Sequence, residues 1–162
     1  MQAPTPGPGG VSAAVRELSG SRRLVSDEAG VSGGVSKAVT DGARGDGVEA
    51  DLMLAVEAAR DRKGTELLLL DLRGISDATD WFLLVSGTSD THVRSIAEHV
   101  LDELRESGVR PSHVEGLRGG RWVLIDCIDF VVHVFHPAAR EFYRLDRLWG
   151  DAPATRLEAQ EV

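Results

Sequence analysis

Residues 81–107 read WFLLVSGTSDTHVRSIAEHVLDELRES, and two hydrophobic periods meet in them. Trp81 to Ser86 is a continuous apolar run of strand length, the pattern of a strand buried on both faces. After Gly87 the apolar residues recur at Val93, Ile96, Ala97, Val100, Leu101 and Leu104, the wide stripe of an amphipathic helix. Ser89 stands where a capping hydroxyl is wanted, and Gly108 with Pro111 closes the helix near Ser107. A buried strand that feeds a crossover helix is a building unit of α/β architecture.

The neighbouring stretches extend this unit in both directions. Upstream, Leu67–Asp71 (LLLLD) reads as a second buried strand, joined to the first by the turn Arg73-Gly74-Ile75-Ser76-Asp77. Before it, residues 49–62 (EADLMLAVEAARDR) carry Leu52, Ala55, Val56 and Ala59 at helical spacing. Asp46 with Glu49 suggests a capping box, and Gly64 a stop. Downstream, Ser112–Gly116, Arg121–Cys127 and Phe130–His136 are strand-like. Gly119-Gly120 and Ile128-Asp129 separate them, so these neighbours pair antiparallel. Pro137 suits a helix N1 position, and Phe142, Leu145, Leu148 and Trp149 form a helical stripe ended by Gly150. The pattern predicts an α/β domain over 48–153: a mixed β-sheet of about five strands flanked by helices.

Residues 1–47 read differently. Ten of the 18 glycines and three of the six prolines lie in residues 1–50, with no aromatic residue. Such a segment buries too little apolar surface to offset an ordering entropy of ~1–2 kcal/mol per residue. It reads as a tail, with a transit peptide or an over-extended start as alternatives, and 154–162 reads as a second, shorter tail. The six acidic residues among the first 50 argue against the transit peptide.

The whole chain has 162 residues, 42% hydrophobic and 27% charged, with 18 Lys and Arg against 26 Asp and Glu. A net charge of −8 is not the footprint of a general nucleic-acid binder, but suits a basic protein partner. One cysteine excludes an internal disulfide framework, and the absence of a long apolar run excludes a membrane-spanning helix. A cytoplasmic protein is expected.

Four groups of residues are candidate sites. Ser86-Gly87-Thr88-Ser89-Asp90 joins a strand to a helix N-terminus, where backbone N–H groups suit an anion. One glycine and no lysine make it neither a P-loop nor a dinucleotide fingerprint, and a capped turn is the plainer reading. His113 and Glu115 share a strand face and could chelate, whereas His133 and His136 point to opposite faces; no spacing matches a zinc motif. Cys127, between acidic neighbours, reads as a quiet core thiol. On the strand Arg121–Cys127, Trp122, Leu124 and Asp126 stand opposite Val123, Ile125 and Cys127. That second face is either roofed by a helix or is a docking face with an aromatic anchor and an acidic rim of Glu115, Asp126 and Asp129. No catalytic constellation, metal site or cofactor is expected.

Several motifs resemble one family in order and spacing. Asp80-Trp81-Phe82 followed by Ser86-Gly87-Thr88-Ser89-Asp90 is similar to its D-[YW]-F…SGTSD. Glu115-Gly116, Arg121-Trp122-Val123-Leu124-Ile125-Asp126 and Val131-Val132-His133-Val134-Phe135 resemble its EG…WVL-x-D…VVHVF, and Arg140–Trp149 resembles its aromatic ending. This is the ribosomal silencing factor (RsfS, or Iojap) family, matched from about Leu52 to Pro153. Ile128 stands where that hairpin usually has Gly. The resemblance implies a fold distantly like nucleotidyltransferases without their catalytic carboxylates. It implies a non-enzymatic factor that binds protein fourteen of the large ribosomal subunit, blocks subunit joining and represses translation under starvation. It places Glu115, Trp122 and Asp126 at the interface; geometry adds Leu124, Asp129 and His133. A homodimer through the same face is a further expectation, with no direct nucleic-acid specificity and no membrane partner. The alternative is a nucleotide-binding or nucleotidyltransferase-like enzyme using the Ser86–Asp90 loop.

Overall fold

The computed structural model describes the backbone of residues 34–157 and the side chains of residues 47–157. The first helix, α1, spans Gly34–Asp61. It passes through Asp46 and Gly47, so the capping box expected there does not start a helix. Of the tail expected over 1–47, residues 34–47 belong instead to this helix, and 1–33, like 158–162, lie outside the described residues.

Most of the remaining elements follow the sequence pattern. They are β1 (Thr65–Asp71), β2 (Trp81–Ser86), α2 (Asp90–Glu106), β3 (His113–Glu115), β4 (Trp122–Asp126), β5 (Phe130–Phe135), α3 (Pro137–Tyr143), α4 (Leu145–Leu148) and β6 (Ala154–Leu157). The Ser89 hydroxyl caps α2 by accepting from His92 N–H at 3.1 Å. Gly108, at φ +86, takes the left-handed turn that ends the helix. Pro137 opens α3, whose first turn is capped by His136.

The sheet is mixed, in the order β3-β4-β5-β2-β1-β6. Only β2 and β5 run parallel, because α2, β3 and β4 intervene between them; every other pair is antiparallel. β6 is the strand the sequence pattern does not announce. Its four residues pair with β1, Leu67 opposite Leu157 through Leu70 opposite Ala154. The stretch expected to be loose from 154 is therefore held to the sheet by backbone hydrogen bonds, not by an apolar face.

Each sheet face has its own core. On one, Leu67, Leu83, Val85, Val123, Ile125, Val132 and Val134 pack under Val56 and Ala59 of α1 and Ile96, Val100 and Leu104 of α2. On the other, Leu68, Leu70, Phe82, Leu84, Trp122, Leu124, Val131 and Phe135 pack under Ala139, Leu145 and Trp149. Each buried Leu, Ile or Phe side chain contributes roughly 1.5–3 kcal/mol of transfer free energy.

Candidate functional site

The second face carries most of the residues singled out above. β4 and β5 pair Trp122 with Phe135 and Leu124 with His133, and β3 sets Glu115 beside Leu124 and His113 beside Asp126. Paired residues share a face, so Glu115, Trp122, Leu124, Asp126 and His133 do stand on one side of the sheet. The structure brings them together but does not leave them all open. Trp122, Leu124 and His133 are 5%, 1% and 0% exposed. The open docking face is corrected to the roofed alternative: α3 and α4 fold back over it. Trp122 is a core residue beneath Tyr143, their rings 4.4 Å apart.

Trp122 and His133 form a buried polar pair. The indole N–H donates to His133 Nδ1 at 3.0 Å, which fixes the neutral tautomer with its proton on Nε2. Nε2 itself is buried without a partner. Complete burial pushes the imidazole down to about 3.

The rim is more accessible. Glu115 is half-buried, and its Oε1 lies 2.6 Å from His113 Nε2. Asp126 is half-buried at the end of β4, where its Oδ1 accepts from Ile128 N–H at 2.8 Å. Asp129 is half-buried in the same hairpin. Ile128, between them, is 63% exposed and sits at φ +71, a left-handed conformation costly for a β-branched side chain. Cys127 packs against the first core; burial foremost, then Asp126 and Asp51, push its thiol up to about 12.

The helical stripe expected at Phe142, Leu145, Leu148 and Trp149 divides. Leu145 and Trp149 are buried, whereas Phe142 and Leu148 are 49% and 48% exposed. Arg144 at φ +49 breaks the segment into α3 and α4, so the residues before and after it lose a common helical phase. Phe142 meets Tyr143 edge to face at 4.9 Å, and Tyr143 lies on Trp122. An exposed aromatic is thus braced by half-buried Tyr143, which rests on buried Trp122. Sequence periodicity conceals this, because it assumes an unbroken helix.

Arg140 pins α3 to the sheet. Its Nη1 donates to Glu66 O at 2.6 Å and Ser86 Oγ at 2.8 Å, and burial holds its guanidinium below the usual arginine range against the pull of Glu66 and Asp146. The Ser86 hydroxyl is occupied by that contact. Next to it, Thr88 N–H donates to His92 Nδ1 at 2.8 Å, and His92 Nε2 donates to Arg62 O at 2.7 Å. The Ser86–Asp90 loop is a capped structural turn. Among the described residues, Asp61, His99 and Glu103 place three potential ligand atoms within 4.8 Å of one another, with His99 Nε2 3.2 Å from Asp61 Oδ2. His133 and His136 lie apart, one buried and the other capping α3.

Comparison with known proteins settles the family. The model of the family described as "Ribosomal silencing factor during starvation" matches residues 46–162. This chain belongs to the ribosomal silencing factor family. It is 43% identical over 107 residues to ribosomal silencing factor RsfS of Bacillus subtilis, covering 66% of this chain and 91% of that one. A crystal structure from Bacillus halodurans shares the fold with a TM-score of 0.59 and 40% identity, over 65% of this chain and 96% of the other. The mouse protein "Mitochondrial assembly of ribosomal large subunit protein 1" is 24% identical over 106 residues, 64% of this chain and 46% of that protein. Family membership makes the chain a ribosomal silencing factor, a regulator of translation. No helix among the described residues is long and apolar enough to cross a membrane.

Proposed function

We propose that the protein binds the large ribosomal subunit through its basic ribosomal protein fourteen, covers the face that meets the small subunit and so keeps the subunits apart. It acts by occupancy and not by catalysis, in the cytoplasm, and lowers translation when nutrients are scarce. The observation that carries this reading is the braced aromatic patch. Phe142 and Leu148 are exposed on α3 and α4, and exposed Glu141 is next to Phe142 in the chain. An aromatic held rigid from below and flanked by a carboxylate fits a protein partner rich in Lys and Arg, because little rotamer entropy is lost on docking. The large-subunit name of the mouse relative and the −8 net charge of this chain support the same partner.

In this reading Trp122, Leu124 and His133 form the floor of the site, and Glu115, Asp126 and Asp129 its charged rim. Sucrose-gradient sedimentation with both purified subunits tests it. Excess protein is expected to travel with the large subunit and shrink the joined-ribosome peak. Migration with the small subunit alone, or an undiminished joined peak, would overturn it.

A further inference from the structure

Three segments converge at the start of α2, and they carry cations. The turn after α1 supplies Arg62 and Lys63; its backbone is tied to α2 by the His92–Arg62 hydrogen bond. Arg94 on α2 donates from Nη1 to Arg118 O at 3.2 Å, which draws the β3–β4 loop onto the same helix. Gly120 in that loop has φ +68, and a Cβ there would stand 2.5 Å from Asp90 O. Only glycine permits this approach, so the loop is built to lie against α2. Arg121 completes the group, 4.0 Å from Asp90.

Two carboxylates near these cations have partners of their own. Asp61 meets His99 at 3.2 Å, and Asp90 faces both Arg121 and His136 at 4.0 Å. Among the described residues Arg62, Lys63 and Arg118 are exposed and stand in no ion pair. Arg62 and Arg94 also line a recess of about 330 Å³, along which Glu98 and Asp102 follow Arg94 on the same face of α2. The hairpin end of the sheet is richer in carboxylates, with Asp51 and Asp126 near Cys127, Asp80 N–H bonded to Asp129 O, and Asp71 paired with Arg73. Exposed arginines outside any ion pair also stand elsewhere among the described residues, Arg105 and Arg110 among them, but here three segments bring several together.

We infer that Arg62, Lys63, Arg94, Arg118 and Arg121 form a second contact surface, which takes the phosphate backbone of ribosomal RNA next to the docked ribosomal protein. The inference rests on the docking proposed above. Continuity is its main support: the loop 116–121 leaves Glu115 directly and ends at Trp122, so docking that patch carries Arg118 and Arg121 against whatever borders the protein partner. In a ribosomal subunit that border is largely RNA. Exposed guanidinium groups bind phosphate oxygens through charge-assisted bonds without reading base sequence.

The test compares the full chain with the variant Arg62→Gln/Arg118→Gln. Among the described residues the side chains of these two make no hydrogen bond or ion pair, so the melting temperature is expected to hold. A charge-matched control is Arg105→Gln/Arg110→Gln, in the last turn of α2 and just beyond it, about 20 Å away along a helix rising ~1.5 Å per residue. Binding to isolated large subunits is measured across a salt series. The first variant is expected to lower the slope of log Kd against log salt by about 2, and the control to leave it near wild type. Both variants are expected to bind isolated ribosomal protein fourteen as the wild type does. An unchanged slope, an equal effect from the control, or an equal loss on the isolated protein would each overturn the RNA contact. If the wild-type chain itself fails to bind large subunits, the docking reading falls and this one with it. A wild type that binds while the variant matches it defeats the RNA contact alone.

Discussion

One face of the sheet lies under two long helices, α1 of 28 residues and α2 of 17; the other lies under α3 of seven residues and α4 of four. The fully buried residues of the first interface are all hydrocarbon, Leu, Val, Ile and Ala with Phe130. The second mixes aromatics with a buried Trp–His hydrogen bond and leaves Phe142 and Leu148 outside. Long helices can bury a continuous stripe, whereas a short roof broken at Arg144 cannot. The first face therefore holds the fold together, and the second combines stability with apolar groups offered to a partner.

Trp122→Ala probes that division most severely. A buried indole replaced by a methyl group costs about 3–5 kcal/mol and leaves the His133 acceptor unmatched. Thermal unfolding is expected to fall by more than about 10 °C. A melting temperature within two degrees of wild type would show that the second face is not a true core.

Acid is the next probe. His133 has a folded value near 3 against 6.5 in the open chain. Below 6.5 the unfolded state takes up a proton that the folded state refuses, so stability falls as pH falls, by about 1.4 kcal/mol per unit down toward 3. Denaturant titrations from pH 7 to 5 are expected to show this slope in the wild type and to lose that component in His133→Gln. Parallel slopes in the two proteins would mean that His133 is not the group responsible.

Phe142→Ala separates roof from surface. Stability is expected to change by less than ~0.5 kcal/mol, while affinity for large subunits falls roughly 30-fold, about 2 kcal/mol. A large loss of melting temperature with it would make Phe142 part of the core.

The smallest effect concerns the hairpin. Ile128→Gly removes a β-branched residue from φ +71 and is expected to stabilise by ~0.5–1 kcal/mol, after the entropy that glycine adds to the unfolded chain. Destabilisation, read from chemical denaturation, would show that the exposed side chain contributes contacts.

Elements with a strong period were legible in the sequence. The apolar run Trp81–Ser86 and the stripe Val93–Leu104 gave β2 and α2 to within a residue or two, and alternation along β4 correctly put Trp122 and Val123 on opposite sides. What escaped had no side-chain signature. β6 has only one partly buried residue, Leu157, and is defined by backbone pairing. The roof over Trp122 was legible only as an alternative, because alternation reports which residues share a side but not what covers it. The break at Arg144 inverted the roles of Phe142 and Leu148, since a non-glycine residue in the left-handed region leaves no mark on a hydropathy pattern.

The pairing of β6 with β1 has a consequence for how the chain is made. Leu67 finds its partner Leu157 ninety residues later. During synthesis β1 emerges early, and one of its edges stays unpaired until β6 follows. An open, leucine-rich edge is a template for pairing with another chain. The interval between these two strands is thus a window of vulnerability to misassembly, closed only when β6 docks.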